Sequence, residues 1–175
     1  MVKYTTKKRQ RKAVLSAIGK YHRRKMNYVM SIRFDTDGKT YIDEEETNSF
    51  IIGQALTGNI SEFQTLGKQY AMVKLRGVYI ESVYNSSAGT VYNAGVCLGQ
   101  ANDSINFNNL KNQPNILLFN FNGKSKMYSK VSSEFTSTND IQLFNNVALL
   151  PFRQGSGAAR FTLKVTLYLT FKTNL

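Results

Sequence analysis

The twelve residues FTLKVTLYLTFK, at positions 161–172, decide the fold class of this 175-residue chain. Their apolar side chains occupy every second position, and polar side chains occupy the positions between. Side chains of a β-strand point alternately to the two faces of a sheet, so this period of two is typical of a strand with one face on a core. The apolar set comprises Phe161, Leu163, Val165, Leu167, Leu169 and Phe171. The stretch therefore predicts a long, half-buried strand.

Three further segments show the same alternation, at Tyr28–Phe34, Val73–Ile80 and Tyr92–Leu98. In the second of them the apolar positions shift by one residue after Leu75, and Gly77 lies at the shift. A β-bulge, in which one strand carries an extra residue, restores the inward face at such a point. The pattern therefore predicts one long strand with a bulge at the glycine.

A hairpin is predicted farther along the chain. Residues 116–121 (ILLFNF) are typical of a strand, and the pair Asn122-Gly123 that follows is a strong signal for a two-residue hairpin turn. The return strand is expected to pass through Met127.

In total the segments amount to seven or eight strands, with only a short helix expected near Ser61–Leu66. Aromatic and β-branched residues dominate them, as is typical of strands. The length and the long, uneven loops favour a jelly roll over the smaller OB-fold barrel. The prediction is an all-β fold, a single eight-stranded jelly-roll sandwich at residues 26–175. A basic, largely disordered N-terminal arm at residues 1–25 is expected to precede it.

Positive charge is concentrated in that arm. The chain carries 23 Lys and Arg against 11 Asp and Glu, a formal net charge of +12. Residues 1–25 contain ten of the basic side chains and no acid, which leaves 13 basic and 11 acidic residues in the rest of the chain. The ten are Lys3, Lys7, Lys8, Arg9, Arg11, Lys12, Lys20, Arg23, Arg24 and Lys25. A polyanionic partner is therefore expected to bind the arm.

The pattern of charge in the arm indicates nucleic acid. Its cations form two clusters, KKRQRK at 7–12 and YHRRK at 21–25. Clustered cations bind phosphates by releasing counterions, with strong, salt-dependent and sequence-independent affinity. The ten basic residues are therefore the predicted nucleic-acid-binding residues. The same clusters fit a bipartite nuclear-localisation pattern, and a disordered solubilising tail is the alternative.

No catalytic site and no cofactor are predicted, so the chain is not expected to be an enzyme. His22 is the only histidine and lies in the arm, where one more polar group of a nucleic-acid-binding tail explains it. Cys97 is the only cysteine, which excludes an intrachain disulfide and a cysteine zinc site. Its place in an alternating strand is typical of a small buried side chain rather than of a reactive thiol.

One acidic stretch contains part of the pattern of a calcium site. The sequence Asp35-Thr-Asp37-Gly38, with Asp43 downstream, contains the oxygen ligands that calcium prefers, but the EF-hand spacing is incomplete. A turn explains Asp37-Gly38 without a metal, so no metal site is predicted. The acidic run at 43–46 is expected to be a solvated loop or a contact with a basic neighbouring subunit.

A membrane partner is not expected either. No apolar run reaches the roughly 18 residues needed to span a bilayer. The N-terminal residues lack the apolar segment of about 7–15 residues that is typical of a secretory signal. The expectation is an intracellular, soluble chain.

A basic arm followed by a β domain of this size resembles a small viral capsid protein. The chain is most similar to the capsid proteins of circovirus-like, circular Rep-encoding single-stranded DNA viruses. The similarity lies in the arm, in YAMVKLRGVYIESV at 70–83 and in FTLKVTLYLTFKTNL at 161–175. Coat proteins of satellite RNA viruses share the architecture and the basic arm.

The resemblance implies a virion protein that assembles with itself into a T=1 icosahedral shell of sixty copies. It implies that the arm lies inside the shell and packages a single-stranded DNA genome, with an RNA genome as the alternative. Assembly in the host nucleus and contact with the host nuclear import machinery follow from the same resemblance.

Two other functions stay open on the residues alone. A cellular β-barrel nucleic-acid-binding protein with a basic tail would need a basic face with aromatic residues on the barrel itself. The strands offer few cations for such a face, mainly Lys74, Arg76 and Lys164. A sugar-active jelly-roll enzyme is disfavoured by the shortage of histidines and of paired carboxylates.

Overall fold

The computed structural model describes residues 21–53, 60–100, 103, 115–131, 133–138 and 147–173. The strands are β1 (Tyr21–Phe34), β2 (Thr40–Ile42), β3 (Glu45–Glu46), β4 (Phe50–Ile51), β5 (Met72–Ala88), β6 (Val91–Gly99), β7 (Ile116–Leu118), β8 (Lys124–Lys130), β9 (Thr136–Ser137), β10 (Ala148–Gly155) and β11 (Ala158–Lys172), and the helix α1 is Ser61–Gly67. Eight of these strands have three residues or more, and β3, β4 and β9 have two. No helix among the described residues has the length and apolar character needed to cross a bilayer.

The strands form two antiparallel sheets that enclose one core. The larger sheet has the order β3-β2-β1-β11-β5-β8, with β9 paired to β5, and the smaller sheet has the order β4-β10-β6-β7. Most neighbours in the sheets are distant in the chain, so the connections cross from one sheet to the other. The predicted all-β, jelly-roll sandwich is confirmed.

Strand β11 is the centre of the larger sheet. It pairs along its whole length with β1 on one side and with β5 on the other. The six alternating apolar residues that decided the fold class are all at most 2% exposed, and they pack in one core with Phe119 and Leu149. Full burial of each such side chain stabilises the fold by about 1.5–3 kcal/mol.

The bulge predicted at Gly77 is confirmed. Tyr168 of β11 lies opposite Gly77, and the next residue, Leu169, lies opposite Leu75, so Arg76 is the extra residue of β5. The bulge returns the apolar residues that follow it to the core. It also leaves Arg76 exposed on the outer surface of the larger sheet.

The predicted hairpin at Asn122-Gly123 is wrong. Strand β7 pairs with β6 in the smaller sheet, whereas β8 pairs with β5 in the larger sheet, so this turn joins the two sheets. The reason lies in two aromatic residues of the segment between them. The rings of Phe119 and Phe121 pack on Phe161, with centroids 4.5 and 5.3 Å from it, and this burial leads the chain across the core.

The larger sheet extends into the segment predicted as an arm. Strand β1 begins at Tyr21, and its first five residues pair with residues 168–172 of β11. The described domain therefore starts at least five residues before the predicted boundary at residue 26. Residues 1–20 of the predicted arm lie outside the described residues.

Candidate nucleic-acid interface

The outer face of the larger sheet carries most of the domain's positive charge. Side chains alternate along β1, β11, β5 and β8, and the register of these strands places their outward positions side by side. Eleven Lys and Arg occupy these positions, together with a single acid, Glu81. Two of the eleven, Arg33 and Arg160, approach Glu44. The other nine, here called the basic face, are Arg23, Lys25, Lys74, Arg76, Lys124, Lys126, Lys130, Lys164 and Lys172.

The expectation of few cations on the strands is wrong. Two of the additional cations, Arg23 and Lys25, fall within the predicted arm but lie on β1. The lysines of β8 lie in a strand with few apolar residues, so its hydrophobic pattern gave no signal for their face. Residues from four separate segments meet only when the sheet forms, which is why the segment-by-segment charge balance did not reveal the basic face.

Aromatic rings lie among these cations. Tyr128 and Tyr168 meet edge to face, with centroids 5.6 Å apart, and Lys25 Nζ lies 5.2 Å from the centroid of the Tyr168 ring. The Tyr128 ring crosses the bulge at Gly77, and its side chain is 57% exposed. An exposed ring beside several cations has the composition of a stacking platform for bases.

A second aromatic group lies next to the first, on the same face of the larger sheet. The ring of Phe135 lies 5.9 Å from that of Tyr21, centroid to centroid. Lys74 Nζ and Lys172 Nζ lie 5.8 and 5.9 Å from the Phe135 centroid. These distances are within the range of cation–π attraction, which holds the two ammonium groups around the ring.

The two groups border two clefts in the basic face. The first cleft, of about 360 Å³, is lined mainly by Tyr128, Tyr168 and residues 23–25. The second, of about 380 Å³, is lined by Tyr21, Lys74, Phe135 and Thr170. Arg23 and Arg76 line both clefts, so the clefts share these two residues.

The ten predicted nucleic-acid-binding residues fall into three groups. Arg23 and Lys25 belong to the basic face. Arg24 points the other way, and its Nε lies 3.8 Å from a carboxylate oxygen of Glu62 on α1. The remaining seven lie outside the described residues; they are Lys3, Lys7, Lys8, Arg9, Arg11, Lys12 and Lys20.

His22 packs against the sandwich, in contrast to the predicted place in a tail. It stacks on Tyr70, with ring centroids 5.4 Å apart and planes 12° apart. The side chain therefore packs against the sandwich and is not a free group of a tail. Its Nε2 atom is buried and has no hydrogen-bond partner among the described residues.

Most of the acidic run at 43–46 binds groups of its own chain. Asp43 accepts hydrogen bonds from the Tyr28 hydroxyl at 2.5 Å and from the Ser31 amide at 2.8 Å. Glu44 pairs with Arg160 at 3.1 Å, and Glu46 accepts from Lys39 Nζ at 2.9 Å. Acidic side chains are therefore concentrated at this end of the sandwich, whereas most Lys and Arg side chains of the described residues lie on the basic face.

The segment considered for calcium forms a turn. The Asp37 carboxylate accepts a hydrogen bond from the Lys39 amide at 3.0 Å, and the Asp35 amide donates to the Lys39 carbonyl at 3.0 Å. Within the described ranges, no three His, Cys, Asp or Glu side chains are grouped so that they could hold a metal ion.

Cys97 is buried in β6, as its strand position predicted. Burial raises the pKa of its thiol, and the Asp103 carboxylate adds to the increase. A raised pKa lowers the thiolate fraction near neutral pH, so the thiol is a poor nucleophile there.

Comparison with solved structures shows the same fold in viral capsids. The structure of Mud crab tombus-like virus matches with a TM-score of 0.63 and 12% identity, over 89% of this chain and 82% of that chain. The decameric BFDV capsid protein matches with a TM-score of 0.53 and 9% identity, over 87% of this chain and 99% of that chain. The structure of Cocksfoot mottle virus matches with a TM-score of 0.52 and 11% identity, over 89% of this chain and 85% of that chain. No protein-family model and no curated protein matches the chain. The described sandwich thus has the fold of these capsid proteins.

Proposed function

We propose that the chain is the coat protein of a small icosahedral virus. The observation that carries the proposal is a capsid-type sandwich whose larger sheet presents nine cations on one face. A shell subunit needs one surface for the genome and other surfaces for copies of itself. The sorting of cations to the basic face, and of acids to the end that holds residues 43–46, supports such a division.

In this proposal sixty copies close a T=1 shell around a single-stranded genome. The assembled BFDV capsid protein supports self-assembly of a sandwich of this type. Sixty copies of residues 1–25, with ten cations each, would bring about 600 cations, enough to neutralise a substantial share of a genome of about one to two kilobases. Arg23 and Lys25 are already included in that number, so the basic face would add seven further cations per subunit at the inner wall.

The genome is proposed to be single-stranded DNA, as in circovirus-like viruses, with RNA as the alternative. The virion is the proposed location. A nuclear assembly step through the host import machinery is proposed from the two basic clusters at 7–12 and 21–25. The chain is proposed to be a structural protein without catalytic activity, because its single histidine packs against Tyr70 and its cysteine is buried.

The first experiment is expression of the full chain and purification at moderate salt. Size-exclusion chromatography with absorbance at two wavelengths, followed by negative-stain microscopy, would measure particle size and nucleic-acid content. Uniform spheres that carry nuclease-protected nucleic acid are expected. A monodisperse species of the subunit mass, 19.8 kDa, would contradict the proposal.

A cellular nucleic-acid-binding protein with a basic tail is the second candidate. The basic face favours this second candidate more strongly than the sequence alone, because aromatic rings and cations share one surface of the sandwich. The same chromatography separates the two functions. A stable monomer that binds oligonucleotides reversibly supports this candidate, whereas closed particles support the coat protein.

A further inference from the structure

We infer that the two clefts of the basic face form a binding site for a single strand of nucleic acid. Bases stack on Tyr128 and Phe135, and Arg23 and Arg76 hold the phosphate between them. The inference rests on the proposed packaging function and deepens it, since it assigns part of genome binding to the folded sandwich in addition to the N-terminal segment.

The two arginines line both clefts from strands on either side of β11. Arg23 lies on β1 and Arg76 on β5, and β11 runs between these strands. Adjacent strands are roughly 4.8 Å apart, so the two guanidinium groups start from backbones about 10 Å apart and border both clefts. Guanidinium groups bind phosphate oxygens in pairs of parallel hydrogen bonds, which suits a phosphate that lies between two stacked bases.

The exposed rings provide the surface for bases. Tyr128 is 57% exposed, and Tyr21, which lies beside the half-buried Phe135, is 48% exposed, although all three rings lie on a strongly charged face. Stacking of a base on an aromatic ring tolerates any sequence, because every base has a π-face. The bulge supports this role, since Gly77 leaves room for the Tyr128 ring over β5 and Arg76 is the exposed extra residue beside it.

Thr170 supplies an independent sign that the second cleft has a ligand. Its side chain lines that cleft, the residue is 5% exposed, and its hydroxyl has no hydrogen-bond partner among the described residues. A buried hydroxyl without a partner is unfavourable, and rotation of the Thr170 side chain toward the cleft would let it bond a sugar or phosphate oxygen of a bound strand.

The charges around the clefts favour a polyanion. The single acid on the outward positions of the four strands, Glu81, is outside both cleft linings. It approaches Lys124 Nζ at 3.6 Å and accepts a hydrogen bond from the Tyr79 hydroxyl at 3.4 Å. Among the described residues neither cleft lining contains an acid, and Arg24 is the one lining cation that pairs with a carboxylate, that of Glu62.

Single-stranded nucleic acid fits better than the acidic run of a second copy. Asp43, Glu44 and Glu46 of that run already bind groups of their own chain. The acidic run also has no aromatic side chain to stack on the exposed rings, and a duplex keeps its bases paired and inaccessible to them. A single strand offers unpaired bases that stack on the rings and phosphates that bind the cations.

The test uses the full chain with oligo(dT) and with oligo(U). Ultraviolet cross-linking followed by mass spectrometry should place cross-links on the peptides that contain Tyr128 and Phe135. Anisotropy titrations should show an affinity loss of about tenfold or more for Arg23→Gln/Arg76→Gln. The matched control, Lys124→Gln/Lys126→Gln, removes equal charge from the same face outside the clefts and should lose clearly less affinity.

A charge-neutral variant separates stacking from electrostatics. Tyr128→Leu keeps every cation and should weaken oligo(dT) binding by about fivefold or more. Circular dichroism of each variant checks that it folds. Any of three results would overturn the inference. They are wild-type affinity in Tyr128→Leu, equal losses of affinity in the two charge variants, and cross-links confined to residues 1–20.

The inference and the proposed function fail in different ways. Particles that package nucleic acid without cross-links at the clefts would leave the coat-protein function standing and remove the site. A monomer that cross-links through Tyr128 would remove the coat-protein function and leave the site. If the cleft variants change the oligomeric state but not the affinity for either oligonucleotide, the clefts bind a second copy and the inference is wrong.

Discussion

Gly77 leaves the space that the Tyr128 ring occupies. A Cβ atom at position 77 would lie 2.5 Å from the Tyr128 hydroxyl oxygen and 2.9 Å from two ring carbons. The glycine belongs to the bulge of β5, and the tyrosine is the exposed ring of the first cleft. The same residue thus corrects the strand's register toward the core and shapes its outer surface.

The first prediction follows from this contact. Gly77→Ala should push the Tyr128 ring off the sheet, weaken oligo(dT) binding by about fivefold or more, and lower the free energy of unfolding by about 1 kcal/mol. In a Tyr128→Ala background the same substitution should be neutral or stabilising by up to about 1 kcal/mol, because alanine is favoured over glycine inside a strand. A double-mutant cycle by urea denaturation measures the difference.

Equal destabilisation by Gly77→Ala in both backgrounds would show that the backbone of the bulge, and not the ring, requires the glycine. In that case the loss of binding in Gly77→Ala would have to be explained by a change in the position of Arg76.

The second prediction concerns where the N-terminal segment can be cut. Deletion of residues 2–20 should leave the free energy of unfolding within about 0.5 kcal/mol, because the described sheet starts at Tyr21. Deletion of residues 2–25 removes five paired residues of β1 and should cost at least about 2 kcal/mol, since each backbone hydrogen bond contributes about 0.5–1.5 kcal/mol. Thermal and urea unfolding compare the two.

The shorter deletion should also change the salt dependence of binding. It removes seven cations, so the slope of log affinity against log salt should fall by as much as about 5 for a single strand. Residual binding through the basic face is expected to remain. An unchanged slope would mean that residues 2–20 do not contact phosphates.

The alternating pattern predicted the core of this fold because burial on one face imposes a period of two. It succeeded for β11, and for β5 it even located the bulge, since a shift in the apolar set must be corrected at some residue. It failed at Asn122-Gly123, where the turn chemistry is local but the destination of the chain depends on Phe161, a distant residue. The basic face was missed for the same reason, because Arg23, Arg76 and Tyr128 become neighbours only through the sheet.

The third prediction is that Cys97 reacts slowly in the folded protein. Burial, and then the Asp103 carboxylate, raise the pKa of the thiol, so less thiolate is present near pH 8 than in the unfolded chain. Alkylation by iodoacetamide should be slower than in urea by at least about tenfold, and its pH profile should be displaced to higher pH. Asp103→Asn removes the carboxylate and should shift the pH profile of alkylation slightly toward lower pH. A native rate equal to the rate in urea would contradict this.

The last prediction tests whether the acidic end serves the fold. Asp43 has φ 49°, in the left-handed region, and its carboxylate holds both the Tyr28 hydroxyl and the Ser31 amide. Asp43→Ala removes both hydrogen bonds and places a less suitable residue at that backbone angle, so the free energy of unfolding should fall by about 1–3 kcal/mol.

Asp43→Asn keeps an acceptor and tolerates the backbone angle, so the free energy of unfolding should fall less. Glu45→Ala, an exposed neighbour, is the matched control and should change stability by less than about 0.5 kcal/mol. Equal effects of Asp43→Ala and Glu45→Ala on urea unfolding would show that the run acts only through its charge, and a surface for a basic neighbouring subunit would then be the better explanation of it.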